Sequence, residues 1–425
     1  MPIEHSSSES SIVFDVARFE LVRLQTEGLC KPLSTEDYVV QSMPEVSPTK
    51  WHLAHTSWFF ETFILKPHKR CYKEFDPHFS YLFNSYYNAI GDRHCRQNRG
   101  LLSRPTVQEI YAYRAYVDEQ LLSMLICGDI PSSGEVALLL EIGLHHEQQH
   151  QELMLTDIKH VFWVNPLRPA YVERAACEAA TGGASRWIAV DGGVREIGHN
   201  GIGFAFDNES PRHQEYVAPL EIASRLVTNG QFKEFIQDGG YLKPEYWLSL
   251  GWATVQTEQW NAPLYWFELG GEWFNHTLSG VQPILDDEPV CHVSFFEADA
   301  FARWAGVRLP TESEWEIASE SVDPTQGVFA ESGIFHPGPA AERPGLQQMF
   351  GEVWQWTSSA YSPYPGYHPG KGALGEYNGK FMCNQYVLRG GSVATPRTHI
   401  RRTYRNFFPP ATRWQFSGIR LARNL

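Results

Sequence analysis

A long helical pattern that carries two histidines one turn apart constrains the fold of this chain more than any other feature. The pattern runs from about residue 136 to about residue 162 and encloses a histidine-rich polar stretch, residues 144–151. On such a helix His146 and His150 stand at positions i and i+4, and therefore on one face. Two imidazoles placed in this way can share one metal ion. The alternative is a polar stripe on a solvated helix, so further ligands must come from elsewhere in the chain.

A third histidine lies on another predicted helix, residues 49–65. On that helix His55 shares a face with aromatic residues such as Trp51. A lone histidine on an aromatic face is typical of a hydrogen-bonded core residue. Together with His146 and His150, however, it supplies the imidazole from a second element that a three-histidine site needs. The sequence therefore offers these three histidines as a candidate metal site.

Two more helical patterns complete the first half of the chain. One covers residues 12–25, and the other starts at a capping box formed by Thr106 and Glu109. Ser47 is expected to cap the second helix, with a proline at the first helical position. Four helices of this length predict a bundle, a fold that commonly holds metal sites between facing helices. The long irregular segment at residues 66–100 is predicted to be functional because its aromatic content argues against disorder.

The texture of the sequence changes after a segment, residues 165–185, that is rich in alanine, proline and glycine. Eleven of the fourteen tryptophans follow it, glycines are frequent, and long helical periods are scarce apart from residues 229–236 and 295–305. This mixture predicts short strands and packed loops held by aromatic side chains. We therefore predict a helical domain at 1–164, a linker at 165–185 and a second domain at 186–425.

Composition excludes several classes of protein. The net charge is −14 and the isoelectric point is near 5.6, which argues against a nucleic-acid-binding surface. No apolar run approaches the ~20 residues of a membrane helix, and the N-terminus lacks the features of a signal peptide. The seven cysteines are widely spaced and form no Cys-x-x-Cys pair. They indicate reduced thiols in a cytoplasmic protein.

The second half resembles the formylglycine-generating enzyme or sulfatase-modifying-factor domain, which has a C-type-lectin-like fold. The matching motifs are VTNGQF (227–232), PVCHVS (289–294), RLPTESEWE (308–316), FGEVWQWT (350–357), LRGGS (388–392) and GIRLAR (418–423). Aerobic formylglycine enzymes carry a copper-binding cysteine pair after the Arg-Gly-Gly-Ser element, whereas residues 400–406 contain no cysteine. The resemblance therefore implies a reused scaffold whose function does not follow from its fold.

With a histidine-bearing bundle in front of that domain, the whole chain resembles the sulfoxide synthases (hercynine oxygenases) of ergothioneine biosynthesis. The resemblance implies an α + (α+β) protein, in which a DinB-like four-helix bundle precedes the lectin-like domain and non-haem Fe(II) sits where the two meet. It also implies that His55, His146 and His150 are the iron ligands. In that family O2 is used to couple the sulfur of a thiol to the imidazole ring of hercynine (Nα-trimethylhistidine), giving a sulfoxide.

The resemblance extends to candidate catalytic and thiol-binding residues in the irregular segment. Tyr86 and Tyr87 match a tyrosine pair whose phenols can donate hydrogen bonds and protons during the reaction. Without the family match, they would be taken for core aromatic residues. Arg96 and Arg99 match a basic pair that binds the carboxylate of the thiol substrate, as the forked guanidinium group does well. In isolation, they are equally consistent with an ordinary solvated pair.

Candidate hercynine-binding residues come from both halves of the chain. Gln149 lies between the two helical ligand histidines, while Asn406 and Phe407 match the family's hercynine-binding positions, where an aromatic ring can attract a quaternary ammonium group. The next residue, Phe408, stands where forms that use γ-glutamylcysteine carry an acidic residue. A phenylalanine cannot meet the extra polar group, so the resemblance favours free cysteine.

Several alternatives stay open at this stage. A synthase that uses γ-glutamylcysteine, or one of the ovothiol or selenoneine type, would share most of these motifs, although ovothiol enzymes usually carry a C-terminal methyltransferase. Residues 146–150 also satisfy His-Glu-x-x-His of zinc peptidases, but Leu153 stands where the metzincin extension has glycine. A lectin-like binding protein without metal is a third alternative. Glu352 stands where calcium-binding lectin-like relatives often have asparagine, so the sequence permits calcium but does not support it. The sequence is also compatible with a homo-oligomer.

Overall fold

The structure is a computed structural model, and it describes residues 15–126, 134–173, 183–370 and 372–425. The chain divides into two compact units, residues 1–154 and 155–425. One long helix belongs to both, because its last ten residues count with the second unit. The domain boundaries predicted at residues 164 and 185 stay predictions. Part of the predicted linker, residues 174–182, lies outside the described residues, as do Cys127 and Cys177 and the residues preceding Asp15.

Four long helices form the framework of the first unit, as the sequence predicts. Its helices are α1 (Val16–Cys30), α2 (Thr49–Phe60), α3 (Lys66–His68), α4 (Phe79–Leu82), α5 (Val107–Ile126) and α6 (Glu135–Val164). A π-helical turn, Glu61–Leu65, joins α2 to α3, and a 3₁₀ segment, Arg96–Leu101, precedes α5. The irregular segment between the second and third long helices is therefore ordered around short helical turns.

Helix α2 lies at the centre of this unit, since all twelve of its residues are buried. Its predicted cap is wrong, because Pro48 and not Ser47 occupies the N-cap position and no side chain caps the helix. The hydroxyl of Ser47 instead accepts a hydrogen bond of 2.9 Å from Arg99 Nη1. The capping box before α5 is confirmed, with Glu109 N donating to Thr106 Oγ1 at 3.2 Å and Thr106 N donating to Glu109 Oε2 at 2.7 Å.

A buried ionic network joins α6 to α1 and α5. The Glu147 carboxylate accepts hydrogen bonds from Arg23 Nη1 at 2.8 Å, from Thr26 Oγ1 at 2.6 Å and from Arg114 Nη2. Arg23 also pairs with Asp118 of α5 at 2.8 Å. Buried charges are tolerated where they are paired and hydrogen-bonded in this way, so the network fixes the packing of the three helices.

The second unit combines short helices with small sheets, as expected from its aromatic and glycine content. Its helices are α7 (Asn229–Gln237), α8 (Ser249–Glu258), α9 (Phe295–Trp304) and α10 (Glu312–Ala318). Its strands are β1 (Trp187–Val190), β2 (Gly193–Ile197), β3 (His213–Val217), β4 (Leu220–Ala223), β5 (Trp266–Leu269), β6 (Glu272–Thr277), β7 (Gly280–Pro283), β8 (Trp354–Ala360), β9 (Tyr386–Arg389), β10 (Asn406–Phe408), β11 (Ser417–Gly418) and β12 (Ala422–Asn424).

The strands form four sheets among the described residues. Their orders are β1-β4-β12, β2-β3, β5-β6-β7 and β10-β9-β8-β11, with antiparallel pairing except between β8 and β11. Helix α10 is held against the largest sheet by buried ion pairs, in which Arg389 Nη2 binds Glu316 at 2.5 Å and Arg405 Nε binds Glu312 at 2.8 Å. These pairs fix the strand that carries the candidate residues 406–408.

Two helices of the second unit are not predicted by the periodicity of the sequence. Helices α7 and α9 are expected from their patterns, whereas α8 and α10 are not. A capping box does mark α10, since the Thr311 side chain accepts from Glu314 N at 3.1 Å. None of the helices within the described residues combines the length and apolar character needed to cross a bilayer. The described cysteines are free thiols.

Candidate metal centre

The structure brings the three predicted ligand histidines together inside the first unit. Helix α2 supplies His55, and α6 supplies His146 and His150. One ring nitrogen from each lies within 4.8 Å of the others, and all three side chains are buried. The Nε2 atoms of His55 and His146 are 3.1 Å apart. Among the described residues, this is the group of His, Cys, Asp and Glu side chains whose donor atoms can reach one ion.

The electrostatics of the cluster suit metal binding. Burial, reinforced by the neighbouring imidazoles and Arg99, lowers the pKa of His55 and of His150 well below the usual histidine value. Burial also lowers the pKa of His146 to about 3, although Glu147 opposes the shift. The three rings are therefore neutral at physiological pH. Neutral imidazoles present lone pairs to a cation without first losing a proton, so the donor set fits a transition metal.

Hydrogen bonds on the far side of two rings select the nitrogens that face the cluster. The Nδ1–H of His55 donates to the Phe83 carbonyl oxygen at 2.7 Å, which leaves Nε2 as the nitrogen that faces the cluster. The Nδ1 atom of His150 lies 2.8 Å from Nδ1 of His52, so its Nε2 is the nitrogen left for a metal. Such outer partners orient metal ligands and fix their tautomers. The sequence prediction did not include His52.

Aromatic rings enclose His55 on both faces. Trp51 stacks on it with ring centroids 4.6 Å apart and planes at 13°, and Trp58 lies 5.4 Å away at 18°. Phe59 packs against His146 at 4.7 Å. These rings restrict the ligand imidazoles and exclude water from around them, which strengthens electrostatic interactions within the site.

Glu147 cannot act as the catalytic base of a zinc peptidase in this arrangement. Its Oε1 accepts from Thr26 and Arg114, and its Oε2 accepts from Arg23. The two arginines and the hydroxyl outweigh burial and lower the pKa of Glu147 to about 2. A general base that activates water has to be accessible and to have a pKa near the working pH. The His-Glu-x-x-His sequence is therefore present without its peptidase geometry.

The two candidate arginines are in different surroundings. The Arg99 side chain is 3% exposed, and its guanidinium carbon lies 3.3 Å from the centre of the Trp51 ring. Since Trp51 also stacks on His55, Arg99 brings a positive charge within one ring of the histidine cluster. Arg96 is exposed and donates to the Glu45 carbonyl oxygen.

The tyrosine pair is connected to the site by ring contacts. Tyr87 is fully buried, lies 5.6 Å from Trp58 and stacks on the half-buried Tyr86 at 4.6 Å. Because Trp58 also packs on His55, the Trp58 ring links Tyr87 to the histidine cluster. Gln149 is half-buried on α6 between the two ligand histidines.

The remaining candidates form strand β10 of the second unit. Asn406, Phe407 and Phe408 pair with β9 and are half-buried. The Phe407 ring stacks on Tyr361 with centroids 4.0 Å apart and planes at 10°, and Asn406 Oδ1 accepts from Phe407 N at 2.9 Å. The strand thus presents a rigid aromatic surface.

Comparisons with known proteins agree with this two-part organisation. The sequence profile of the DinB superfamily matches residues 18–154, and that of the sulfatase-modifying factor enzyme 1-like domain matches residues 173–332 and 322–425. The chain is therefore a two-domain enzyme in which a DinB-like helical unit with a three-histidine cluster precedes a sulfatase-modifying-factor-like domain.

Relatives along almost the whole chain define the family more closely. The chain is 32% identical over 413 residues to the hercynine oxygenase of Mycolicibacterium smegmatis, covering 90% of this chain and 92% of that protein. It is 33% identical to the hercynine oxygenase of Mycobacterium tuberculosis, covering 89% and 91%. Ergothioneine biosynthesis protein 1 of Schizosaccharomyces pombe is 29% identical, over 52% of this chain and 28% of that protein. The chain belongs to the hercynine oxygenase family.

Proposed function

We propose that this chain is an iron(II)-dependent sulfoxide synthase that uses O2 to join the sulfur of cysteine to the imidazole ring of hercynine, as a step of ergothioneine biosynthesis. One observation carries the proposal. In a chain related to hercynine oxygenases over nine-tenths of its length, three buried neutral imidazoles offer nitrogens within 4.8 Å of one another. The proposal thus rests on the donor set together with the family.

The donor set favours iron over a closed structural metal site. His55, His146 and His150 would hold the ion through nitrogen alone and leave coordination positions for substrates, which is typical of non-haem oxygen enzymes. When bound, ferrous iron would supply the one-electron chemistry that O2 needs in order to react. The hydrogen bonds that His55 donates to the Phe83 carbonyl oxygen and that His150 would donate to His52 would keep the ligand nitrogens in place throughout turnover.

The proposed reaction balances without an added reductant. The imidazole ring loses the hydrogen on the carbon that is attacked, and the thiol loses its S–H hydrogen. One oxygen atom of O2 ends in the sulfoxide, and the other leaves as water with those two hydrogens. The two substrates together supply the four electrons that O2 takes up, so the protein's own task is to position them and to handle protons.

Arg99 is the best-placed group to bind the carboxylate of the thiol substrate. Its guanidinium lies over the Trp51 ring and donates to the Ser47 hydroxyl at 2.9 Å, so little side-chain freedom remains to be lost on binding. Arg96, on the same 3₁₀ segment but exposed, would complete a basic pair after a change of its side-chain conformation.

Tyr87 and Tyr86 would supply protons and hydrogen bonds to the oxygen chemistry. Tyr87 is buried, with its ring against Trp58 and Phe63. A phenol hydroxyl at this place could donate a hydrogen bond within a water-poor site. The half-buried Tyr86 stacks on Tyr87 and would lie between it and the solvent.

Hercynine would be bound by groups that tolerate a permanent positive charge. Gln149 would offer an amide to the hercynine imidazole, while Asn406 and the Phe407 ring would face its trimethylammonium end, where cation–π attraction is worth about 0.5–2 kcal/mol. The apolar Phe408 would leave the ammonium group of the γ-glutamyl moiety, which an acidic residue could meet, without a partner. We therefore assign free cysteine as the thiol.

A competition experiment tests the whole assignment. Purified protein with Fe(II) is offered hercynine together with equal amounts of cysteine and γ-glutamylcysteine under air, and the products are analysed by mass spectrometry. We expect hercynylcysteine sulfoxide as the main product, with one O2 consumed per product. A parallel reaction with histidine in place of hercynine tests for an ovothiol-type activity.

The possible outcomes separate the alternatives. A dominant γ-glutamyl product would overturn the thiol assignment but keep the synthase, and coupling to histidine in preference to hercynine would move the chain to the ovothiol type. Peptide hydrolysis with Zn(II) would favour the peptidase, despite the engaged carboxylate of Glu147. Absence of O2 uptake with any combination would leave only a binding protein.

A further inference from the structure

A small polar cavity lies inside the second unit, apart from the three-histidine cluster. It has a volume of about 10 Å³, and its lining includes Lys159, Tyr265, His276, Cys291 and His292. A volume of this size is close to the minimum that holds one water-sized species. The cavity is therefore matched to a water molecule or a single-atom ion and not to an organic substrate.

Lys159 brings an isolated positive charge into this cavity. Its side chain is buried, and Nζ donates to His292 Nε2 at 2.6 Å. The rings of Tyr265 and Phe416 lie 5.0 Å and 4.9 Å from Nζ. No carboxylate of the described residues forms an ion pair with Lys159, in contrast to Arg23, Arg389 and Arg405 of this chain.

The charge is present at neutral pH even without a counter-ion. Burial lowers the pKa of Lys159 to about 8 and raises the pKa of the adjacent Cys291 thiol to about 12. Near pH 7, therefore, the ammonium group persists while the thiol stays neutral and cannot compensate it. A buried ammonium without a negative partner is costly, so the site gains stability from any anion that fits.

Unpartnered polar groups also line the cavity. Both ring nitrogens of His276 and the hydroxyl of Tyr265 lack a hydrogen-bond partner. Each residue is only 1% exposed, so bulk solvent does not supply one. Burial, together with Lys159 and Arg168, lowers the pKa of His276 to about 3, so its ring is neutral and carries one N–H donor. Buried polar groups are rarely left without partners, and these can donate to a bound species.

The backbone is strained at two positions of the same cavity. Tyr265 and His292 have φ values of +76° and +65°, in the left-handed region that bulky residues seldom adopt. Both side chains contact Lys159, and their rings meet edge to face at 4.7 Å. Strain of this kind persists where the surrounding structure holds side chains around a ligand.

A metal ion does not fit the same surroundings. Within the described residues, the cavity histidines and Cys291 do not form a cluster with donor atoms close enough to share an ion. The ammonium of Lys159 would also repel a cation, as would Arg168, which acts on the same histidine. Charge and donor geometry therefore both favour a negative species.

The geometry points to a binding site for a monatomic anion of the halide class, chloride being the natural occupant, held by the Lys159 ammonium, the Tyr265 hydroxyl and the His276 ring. The anion neutralises the charge of Lys159 and satisfies donors of β6 and of the turn before β5. It thereby fastens residues 155–164, the end of α6, to the β5–β6 hairpin within the second unit. The site is separate from the oxygen chemistry proposed above.

Bromide locates the anion directly. Crystals of the full chain grown without halide and then soaked in bromide are expected to show an anomalous peak beside Lys159 Nζ, and crystals of Lys159→Met are expected to lack it. Methionine has a similar length, and the aromatic surroundings accept it, so the variant is expected to fold. Electron density for a water molecule without an anomalous peak at this position in the wild-type crystals would overturn the proposal.

Thermal unfolding in solution provides the second measurement. At equal ionic strength, the unfolding midpoint of the wild type should rise with chloride concentration when chloride replaces gluconate, since a ligand of the native state stabilises it. The rise should be lost in Lys159→Met and kept in the control Lys243→Met. A His150→Ala background removes any contribution from halide at the metal centre. Equal chloride dependence in wild type and Lys159→Met would refute the site.

Discussion

The hydrogen bond between His52 and His150 is expected to raise the affinity of the candidate centre for a metal. Their Nδ1 atoms are 2.8 Å apart, so one must donate and the other accept. If His150 binds a metal through Nε2, its Nδ1 carries the proton and His52 accepts it. The hydrogen bond then fixes the tautomer that makes His150 a ligand, which defines His52 as a positioning residue.

Replacing His52 by phenylalanine should weaken metal binding about 10- to 100-fold, the usual cost of losing such an outer partner. Co(II) binding followed by its absorption bands measures the effect without turnover. His52→Gln, which keeps a hydrogen-bonding group, should restore part of the affinity. Equal Co(II) affinities for the wild type and His52→Phe would show that the contact does not position His150.

His150→Ala should abolish stoichiometric metal binding because only two of the three nitrogens remain. The matched control is His145→Ala on the same helix, since His145 Nε2 lies 3.1 Å from Glu141 Oε1 and is not part of the cluster. Iron content after reconstitution and desalting measures the difference. Retention of iron by the His150 variant, or its loss from the His145 variant, would contradict the ligand assignment.

The three-histidine cluster was predictable from the sequence, whereas the residues that support it were not. The spacing of His146 and His150 on a helix places them on one face whatever the fold, and His55 follows from the need for a second element. The role of His52 depends on the rotation of α2 against α6, which a single sequence does not encode in its periodicity. The isolation of Glu147 depends likewise on Arg23 and Arg114, residues of two other helices.

At the scale of helices, Glu147 is the point where α1, α5 and α6 are fastened together. Its carboxylate is completely buried, and its partners come from α1 and α5. Since the surroundings lower its pKa to about 2, the carboxylate is more stable as an anion in the folded chain than in the unfolded one. Its contribution to stability is complete above the unfolded-state pKa of 4.5. The contribution is lost as the pH falls from there toward 2.

Glu147→Gln should lower the free energy of unfolding by about 3–5 kcal/mol at pH 7, because it leaves buried arginine charge without its partner. Urea denaturation at pH 7 and at pH 3 measures this, and the difference from wild type should shrink at the lower pH. Metal stoichiometry should be unchanged in the folded variant. A loss of less than 1 kcal/mol at pH 7 would show that the network contributes little.

Secondary structure followed the sequence where elements are long. Helices α5 and α6 begin and end near their expected positions, while the second helix departs from its pattern at Glu61–Leu65, where one extra residue per turn makes a π segment. That turn frees Glu61 to accept hydrogen bonds of 2.6 Å from the hydroxyls of Tyr72 and Tyr113. Long-range partners such as these decide local geometry, so periodicity alone could not predict it.

For the whole molecule, the metal centre is an addition to a core that is already complete. Helix α2 is buried along its entire length, and apolar residues such as Leu53, Leu140 and Leu144 are at most 1% exposed. The histidines sit among aromatic rings and do not hold the helices together by themselves. The fold of the first unit therefore does not require an ion.

Removal of metal by a chelator should leave the far-ultraviolet circular dichroism of the chain unchanged but lower its unfolding midpoint. The reason is linkage, since each tenfold excess of free metal over the dissociation constant stabilises the native state by about 1.4 kcal/mol. Calorimetry with and without Fe(II) under anaerobic conditions measures the shift. Loss of helical signal on chelation would show that the ion is structural.

The indole rings on either side of His55 give the protein an optical reporter of its own. Trp51 and Trp58 are in stacking contact with the imidazole of His55, a proposed metal ligand, so a paramagnetic ion bound there would sit within energy-transfer range of two fluorophores. Eleven of the fourteen indoles belong to the second half of the sequence and contribute a steady background. Occupancy of the centre can therefore be followed as a partial quenching of intrinsic emission, with no label attached.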